Sequence, residues 1–440
     1  LLQKKDKLKL IKHLFSLFQF QVLHTISSSK IMKNFIYKIS LFLILAVAAS
    51  SCTEQYVFQN NDFESALVVE GTITNELKNQ TIRLSQVYEL EETGPKLEKG
   101  ANVSVSDDQG NEYQFEEKDT LYASITPFKA EPGRKYQLKI RTSAGKNYTS
   151  DEQVLTTETK IDNLTATVEN VKGERGVQIN VNSYDPTNTS KYYRYEYTET
   201  YKIIAPMWDS REAVMVPFPA TPPNLEEGTP EIPAGENIVV RPRNRETKTC
   251  FSTKNSNDII LNSTNNLSDD RVHFPVRFIS DQNYIISHRY SIFVKQYVQN
   301  LAAYTYYKTL KDLSTSGSVL SPKQPGFFYG NIKCVENPTE KVIGFFEVSA
   351  VSSDRIFFNY VDLFPNERLP PYYESDCDIR NFVDCEGDPP CSGVALRSII
   401  RTRELVLVST DYVSSYGMVK PPCGDCTTFS SNIVPPFWID

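Results

Sequence analysis

Histidine is nearly missing from this chain: four occur in 440 residues, and only His273 and His288 lie beyond residue 51. Neither has a second ligand at HExxH-type spacing, so metalloprotease chemistry of that kind is excluded. A GxSxG elbow, a P-loop and a dinucleotide fingerprint are lacking as well, which removes the commoner hydrolase, nucleotide-binding and dehydrogenase motifs. A glycosidase-type pair of carboxylates stays open, because spacing along the chain does not reveal acids that meet in space. The expectation is a protein that is not an enzyme.

Positive charge is also scarce where it would matter. Residues 1–51 hold eight lysines against one acid, Asp6, a net of +7, so the remainder carries −14 within the total of −7. A body that acidic is unsuited to nucleic acid, whose binding needs cations to displace counterions.

What is abundant is aromatic: 25 Tyr and 24 Phe, broad rings that pack well on a pleated, half-buried surface. The 25 Pro and 18 Gly occur along the length of the chain, which favours many turns over long helices. The profile predicts a mainly β protein with two tandem immunoglobulin-like or β-sandwich domains, and 440 residues suffice for two cores.

From Met32 the chain reads as a lipoprotein signal over 32–51. Lys33 and Lys38 precede the apolar run 39–49, and Ser50, Ser51 and Cys52 follow. That run is shorter than the ~20 apolar residues a bilayer span requires. Cleavage before Cys52 would leave its thiol as the acceptor of lipid, the one covalent group expected and the means of membrane attachment. Ala49 stands where Leu is commoner in such signals. Residues 1–31, which begin with Leu, read as upstream reading frame, and 52–65 as a polar tether with weak acidic character (Glu54, Asp62, Glu64).

Residues 66–157 have the strand spacing of one sandwich domain. Within it, 102–115 is a hairpin that sets Val103 and Val105 against Tyr113 and Phe115 across an acidic turn at 107–111. That turn lacks the ligand spacing and closing Glu of an EF-hand, so solvated turn residues are the simpler reading. A larger β region spans 158–440. In its strand 193–201, Tyr193, Tyr195, Tyr197 and Tyr201 share a face, while Arg194 and Glu196 point the other way. Such a stripe can be a sugar platform, but it is more often half of a sandwich core. The Pro-rich stretch 205–243 is expected to be a long loop. One helix is expected over 300–313, capped by Asn300, with Leu301, Tyr304, Leu310 and Leu313 on its packed face. Strands follow around 342–350 and 355–361, and then a Cys- and Pro-rich meander.

The block 303–307 (Ala-Tyr-Thr-Tyr-Tyr), the stretch 324–332 with its Gly330-Asn331-Ile332, the stretch 337–350 with Gly344-Phe345-Phe346, the Arg355-Ile-Phe-Phe segment and the terminal Pro-Pro-Phe437-Trp438 resemble the Bacteroidota lipoproteins grouped as domain of unknown function 4249 (DUF4249). The likeness covers essentially the whole chain after Cys52, and the Gly-Asn-Ile to Gly-Phe-Phe block is its most specific part. It implies a β-rich lipoprotein of the outer membrane, often encoded beside a TonB-dependent receptor, and it defines no catalytic residues.

Seven cysteines follow Cys52: 250, 334, 377, 385, 391, 423 and 426. Export makes disulfides the default for Cys250, Cys334, Cys377, Cys385, Cys391, Cys423 and Cys426, and an odd number leaves at least one thiol over. Cys250 and Cys334 flank the strand-helix-strand section and could close it. Cys423 and Cys426 form a CxxC, whose alternatives are a redox motif or half of a zinc site; the surrounding prolines point to a turn. Asp119-Thr120-Leu121 matches a triplet at which exported Bacteroidota proteins carry O-glycans, which marks Thr120.

The leading expectation is therefore a non-catalytic cell-envelope binding protein, with no metal or other cofactor, working with a TonB-dependent outer-membrane transporter on a ligand the sequence does not name. The alternatives are a structural or adhesive surface protein and a hydrolase with an unrecognised carboxylate site.

Overall fold

The computed structural model describes residues 66–87, 94–220, 235–315, 329–385, 392–411 and 415–440. The signal, tether and Cys52 lie outside them, as does Cys391. Among the described residues no helix is long and apolar enough to cross a membrane.

The chain is mainly β. Its first part contributes β1 (Leu67–Thr74), β2 (Thr81–Gln86), β3 (Lys96–Leu97), β4 (Asn102–Asp107), β5 (Glu112–Lys118), β6 (Leu121–Ser124), β7 (Lys135–Arg141), β8 (Asn147–Ser150) and β9 (Gln153–Val154). Alternation puts Val103, Val105, Leu138 and Ile140 on one buried face. The hairpin pairs Val103 with Phe115 and Val105 with Tyr113. Its acidic turn is held locally: the Asp107 carboxylate accepts from the backbone N–H groups of Gln109 and Asn111 and from Arg134. Asp107 thus organises a turn. Thr120 sits exposed in the tight connection between β5 and β6, next to Asp119 in the left-handed conformation.

The second part supplies β10 (Ile161–Val171), β11 (Glu174–Asp185), β12 (Tyr192–Ile204), β13 (Arg211–Phe218), β14 (Gly235–Pro242), β15 (Thr249–Asn255), β16 (Ile260–Ser263), β17 (Asp270–Ser280), β18 (Arg289–Gln299), helix α1 (Leu301–Thr315), β19 (Ile332–Cys334) and β20 (Val342–Asn359). Here β10, β11 and β17 form one layer. Val177, Ile179, Val181 and Val272 of that layer meet Tyr193, Tyr201, Ile292 and Val294 of β12 and β18 in a single core. Tyr193, Tyr195 and Tyr201 are buried there, so the aromatic stripe is half of a sandwich core, and Tyr197 packs beside it.

One strand joins the two parts. The segment 342–361, which reads as two strands, is a single strand β20 of 18 residues running to Asn359. Residues 342–349 pair parallel with β1, and residues 350–359 pair antiparallel with β18. The polar stretch 352–354 resembles a turn in sequence, yet it contains no Gly or Pro to break the strand, and Ser352 is tied in by accepting from the Ile161 N–H at 2.9 Å. The outcome is one 15-stranded sheet whose path runs β15-β12-β18-β20-β1-β2-β6-β5-β4-β7-β8-β19.

The far end of that path comes back to β20. Beside β19, the Asn331 side chain donates to the Phe346 carbonyl at 2.8 Å and accepts from the Phe346 N–H at 2.8 Å, so it acts as a missing strand residue for β20. Close approach makes this possible. A Cβ on Gly330 would lie 1.5 Å from the Gly344 carbonyl oxygen, and Gly344 itself has φ +141°, accessible to glycine alone without strain. The Gly-Asn-Ile and Gly-Phe-Phe blocks are thus two sides of one clasp.

The carboxy-terminal part departs from the expected loop and meander. β13 and β14 pair as a hairpin. Pro217 and Pro242 are tolerated because a two-stranded ribbon has only edges. Ala213, Met215, Ile238 and Val240 pack on a small core built by helix α3 (Gly393–Thr402) and by β21 (Arg380–Val383), β22 (Val406–Thr410) and β23 (Ser415–Val419); between β20 and β21 lies the one-turn helix α2 (Tyr360–Leu363). A further one-turn helix, α4 (Pro421–Gly424), opens on Pro421, a residue suited to the first helical position.

The disulfides follow this packing. Cys250 bonds Cys426 and Cys377 bonds Cys423, so each member of the CxxC is spent on a distant strand or loop. Cys385 is also disulfide-bonded. Closure of the 250–334 section does not occur, because Cys334 is free. It packs under β8, where burial and the nearby acids Glu336 and Glu340 push its thiol up and keep it protonated.

Asn331→Ala should leave both polar groups of the Phe346 peptide unpaired in a buried place, lowering unfolding stability by about 2–4 kcal/mol. Denaturant unfolding measures this. A change within about 0.5 kcal/mol would show that the clasp holds nothing.

Candidate functional site

The strand-and-helix junction around β20 encloses a cleft of about 720 Å³, within the ~300–1,000 Å³ usual for small-ligand sites. Its floor is the sheet face away from the cores. Period-2 alternation places Glu70 of β1, Arg83 of β2, Arg194 and Glu196 of β12 and Lys295 and Tyr297 of β18 along it. One wall is α1, through Tyr306, Tyr307 and Leu310, and another is the loop 256–259.

Helix α1 is set in place by its first turn and one buried stripe. Asn300 Oδ1 accepts from the Ala303 N–H at 2.8 Å, the expected cap. The packed stripe is Ala303, Tyr306, Tyr307 and Leu310 against Phe345, rather than one through Leu301, which is 58% exposed. Tyr304 packs on Tyr192 instead, with ring centres 4.9 Å apart.

Beneath the helix lies a buried ion pair. Arg194 Nη2 donates to Glu347 Oε1 at 2.6 Å, and the two side chains are only 8% and 1% exposed. Glu347 also accepts from the Thr72 hydroxyl at 2.9 Å and from Gln299 Nε2 at 2.7 Å. The guanidinium is sandwiched between the rings of Tyr297 and Tyr307, at 4.3 and 4.8 Å from their centres, an arrangement whose attraction grows as water is excluded. Its Nη1 reaches Glu196 at the cleft edge, and Tyr297 donates to the same carboxylate at 3.0 Å. Burial alone would pull the Arg194 pKa down, but the facing Glu347 and Glu196 hold it well above the usual arginine value.

The aromatic groups are proton-tight. Burial pushes Tyr306 up to about 12. Tyr297 and Tyr307 are raised further, by burial first and then by the neighbouring carboxylates. At neutral pH these phenols stay protonated and can donate hydrogen bonds.

Charges across the floor come in opposed pairs. Glu70 lies opposite Arg83 on the adjacent strand, and Glu196 lies opposite Lys295. Lys78 at the rim is held by Glu76 at 2.5 Å.

Among the described residues, the histidines, the cysteines and Thr120 lie elsewhere. His273 sits on β17 with Nδ1 2.7 Å from Asn182 Oδ1, and His288 precedes β18, its pKa lowered by burial and then by Lys202. Opposite facing of Arg194 and Glu196 was readable from alternation, whereas their convergence with Glu347 was not.

Glu347→Leu strands a buried guanidinium and should cost about 3–5 kcal/mol, while adding Arg194→Met should restore most of it. Thermal or denaturant unfolding of both variants checks this. Equal losses in the single and double variants would contradict the pairing.

A search of curated proteins finds no match. The family described as domain of unknown function (DUF4249) matches residues 53–355, from the tether through the clasp and into β20. The chain belongs to the DUF4249 family.

Proposed function

We propose that the protein is a cell-envelope lipoprotein, held on the outer membrane by lipid on Cys52, which captures a substrate without transforming it and works with a TonB-dependent outer-membrane transporter. The observation that carries the binding part is the cleft: a preformed, part-polar, aromatic-walled recess on a rigid sheet, the usual form of a recognition site. The anchoring part is supported by the apolar run and small residues ahead of Cys52.

Binding is favoured over hydrolysis by the state of the acids. A glycosidase needs two carboxylates facing the substrate. Three carboxylates line the cleft, Glu70, Glu196 and Asp258; Glu196 is already held by Arg194 and Tyr297, and Glu347 beneath it is buried and taken up by Thr72, Arg194 and Gln299. The tyrosines hold their protons too tightly to serve as bases.

Fractionation of cells making the wild-type chain and Cys52→Ser tests the anchor, and mass spectrometry of partners recovered from gently solubilised membranes tests the pairing. The expected result is a membrane-bound wild type that brings down a transporter and a variant released in soluble form. Unchanged fractionation, or repeated recovery without any transporter, would contradict the reading.

A further inference from the structure

We propose that the cleft beneath α1 binds a neutral, hydroxyl-rich chain, an oligosaccharide; this rests on the substrate-capture reading above. Three features of the recess converge on that chemistry.

The first is charge balance. An anion entering the cleft would meet Glu70, Glu196 and Asp258, and a cation would meet Arg83, Arg194, Lys295 and Lys78, the last neutralised by Glu76. The partners stand opposite one another across neighbouring strands, Glu70 with Arg83 and Glu196 with Lys295. A charged ligand would meet both signs side by side, with Glu196 already held by Arg194 and Tyr297, and would gain little net attraction. Hydroxyl groups can instead donate to the carboxylate and accept from the cation of the same pair, and charge-assisted hydrogen bonds of this kind are the stronger ones.

The second is the floor itself. Peptides in extended form are commonly recognised by adding a strand to a free sheet edge. The floor strands β12, β18, β20, β1 and β2 are consecutive neighbours inside the sheet. Where β12 passes from β16 to β15, the Tyr197 N–H donates to the Ser256 hydroxyl and its carbonyl accepts from the Ser256 N–H. β18 pairs with β20 only along residues 350–359, and beside the remainder the Asn331 side chain occupies the Phe346 peptide, so among the described residues no continuous edge is offered and specificity must come from side chains.

The third is the wall. Tyr306 and Phe345 lie with ring centres 5.5 Å apart, and Tyr306 meets Tyr307 edge-on at 5.5 Å. They bring apolar ring surface and protonated phenols to the same recess as the paired charges. A sugar ring has a matching division, with apolar C–H faces and a polar hydroxyl rim. Aromatic side chains suit this role because one end packs and the other hydrogen-bonds.

Isothermal titration calorimetry of the full chain, in a detergent without a sugar headgroup, tests this with neutral hexasaccharides of α-glucan, β-glucan, mannan and xylan. A tryptic digest of casein serves as the peptide comparison. At least one hexasaccharide should bind, and Lys295→Ala and Glu70→Ala, both at surface-accessible floor positions, should weaken it about tenfold or more with unchanged melting temperature. Absence of binding by every hexasaccharide, or binding that both variants leave unchanged, overturns the proposal. Binding of casein peptides alone also overturns it and moves the ligand class to peptides. Because recovery of the transporter is a separate readout, its persistence in any of these cases leaves the capture reading standing, and its loss counts against that reading instead.

Discussion

Everything in this molecule hangs on a strand that belongs to two neighbours at once. The first eight residues of β20 run parallel to β1, and its remainder runs antiparallel to β18. A parallel neighbour requires a long crossover, and the chain from β1 to β20 supplies it by building the rest of the sheet. The first core therefore includes Ile332, Val342, Phe346 and Val348 from late in the chain, alongside Leu67 to Tyr148 from its beginning. The Gly330–Asn331 clasp covers the side of β20 that β18 leaves bare, which is why a glycine, an asparagine and a second glycine are needed at those points.

The cleft is a consequence of the same arrangement. Where β18 leaves β20, the sheet face is open, and α1 spans the gap. The ion pair of Arg194 with Glu347 fills the base of that gap. A buried pair is a weak source of stability compared with apolar packing, so its presence fits a role in shape and orientation. It fixes Tyr297 and Tyr307 on either side of a guanidinium and aligns Glu196 at the edge. These floor side chains are thus held by contacts within the protein itself, and ordering before binding lowers its cost.

Local pattern carried much of this into the sequence. Alternation marked the hairpin of Val103, Val105, Tyr113 and Phe115 and the core role of Tyr193, Tyr195 and Tyr201, and Asn300 announced α1. What depended on distant partners was hidden. Ser352 and Asp354 look like turn residues until Ile161 and β18 are in place. The hairpin Arg211–Phe218 with Gly235–Pro242 was masked by its prolines, although 213–216 is an unbroken apolar run of strand-forming length. Helix α3 was lost in a Cys- and Pro-rich context despite Leu396, Ile399 and Ile400 at helical spacing. Disulfide partners were beyond reach, since Cys250 and Cys426 are 176 residues apart. Glu347 was equally hidden, its link to Arg194 being long-range and set by β20.

If β20 couples the two cores as described, the strands on both sides of it should lose protection together. Native-state hydrogen exchange of amides in β1 and β4 against those in β11 and β18 measures this most directly. The account predicts one shared opening free energy, falling in parallel as denaturant is added. Exchange of β1 and β4 through a cheaper opening that leaves β11 and β18 protected would contradict it.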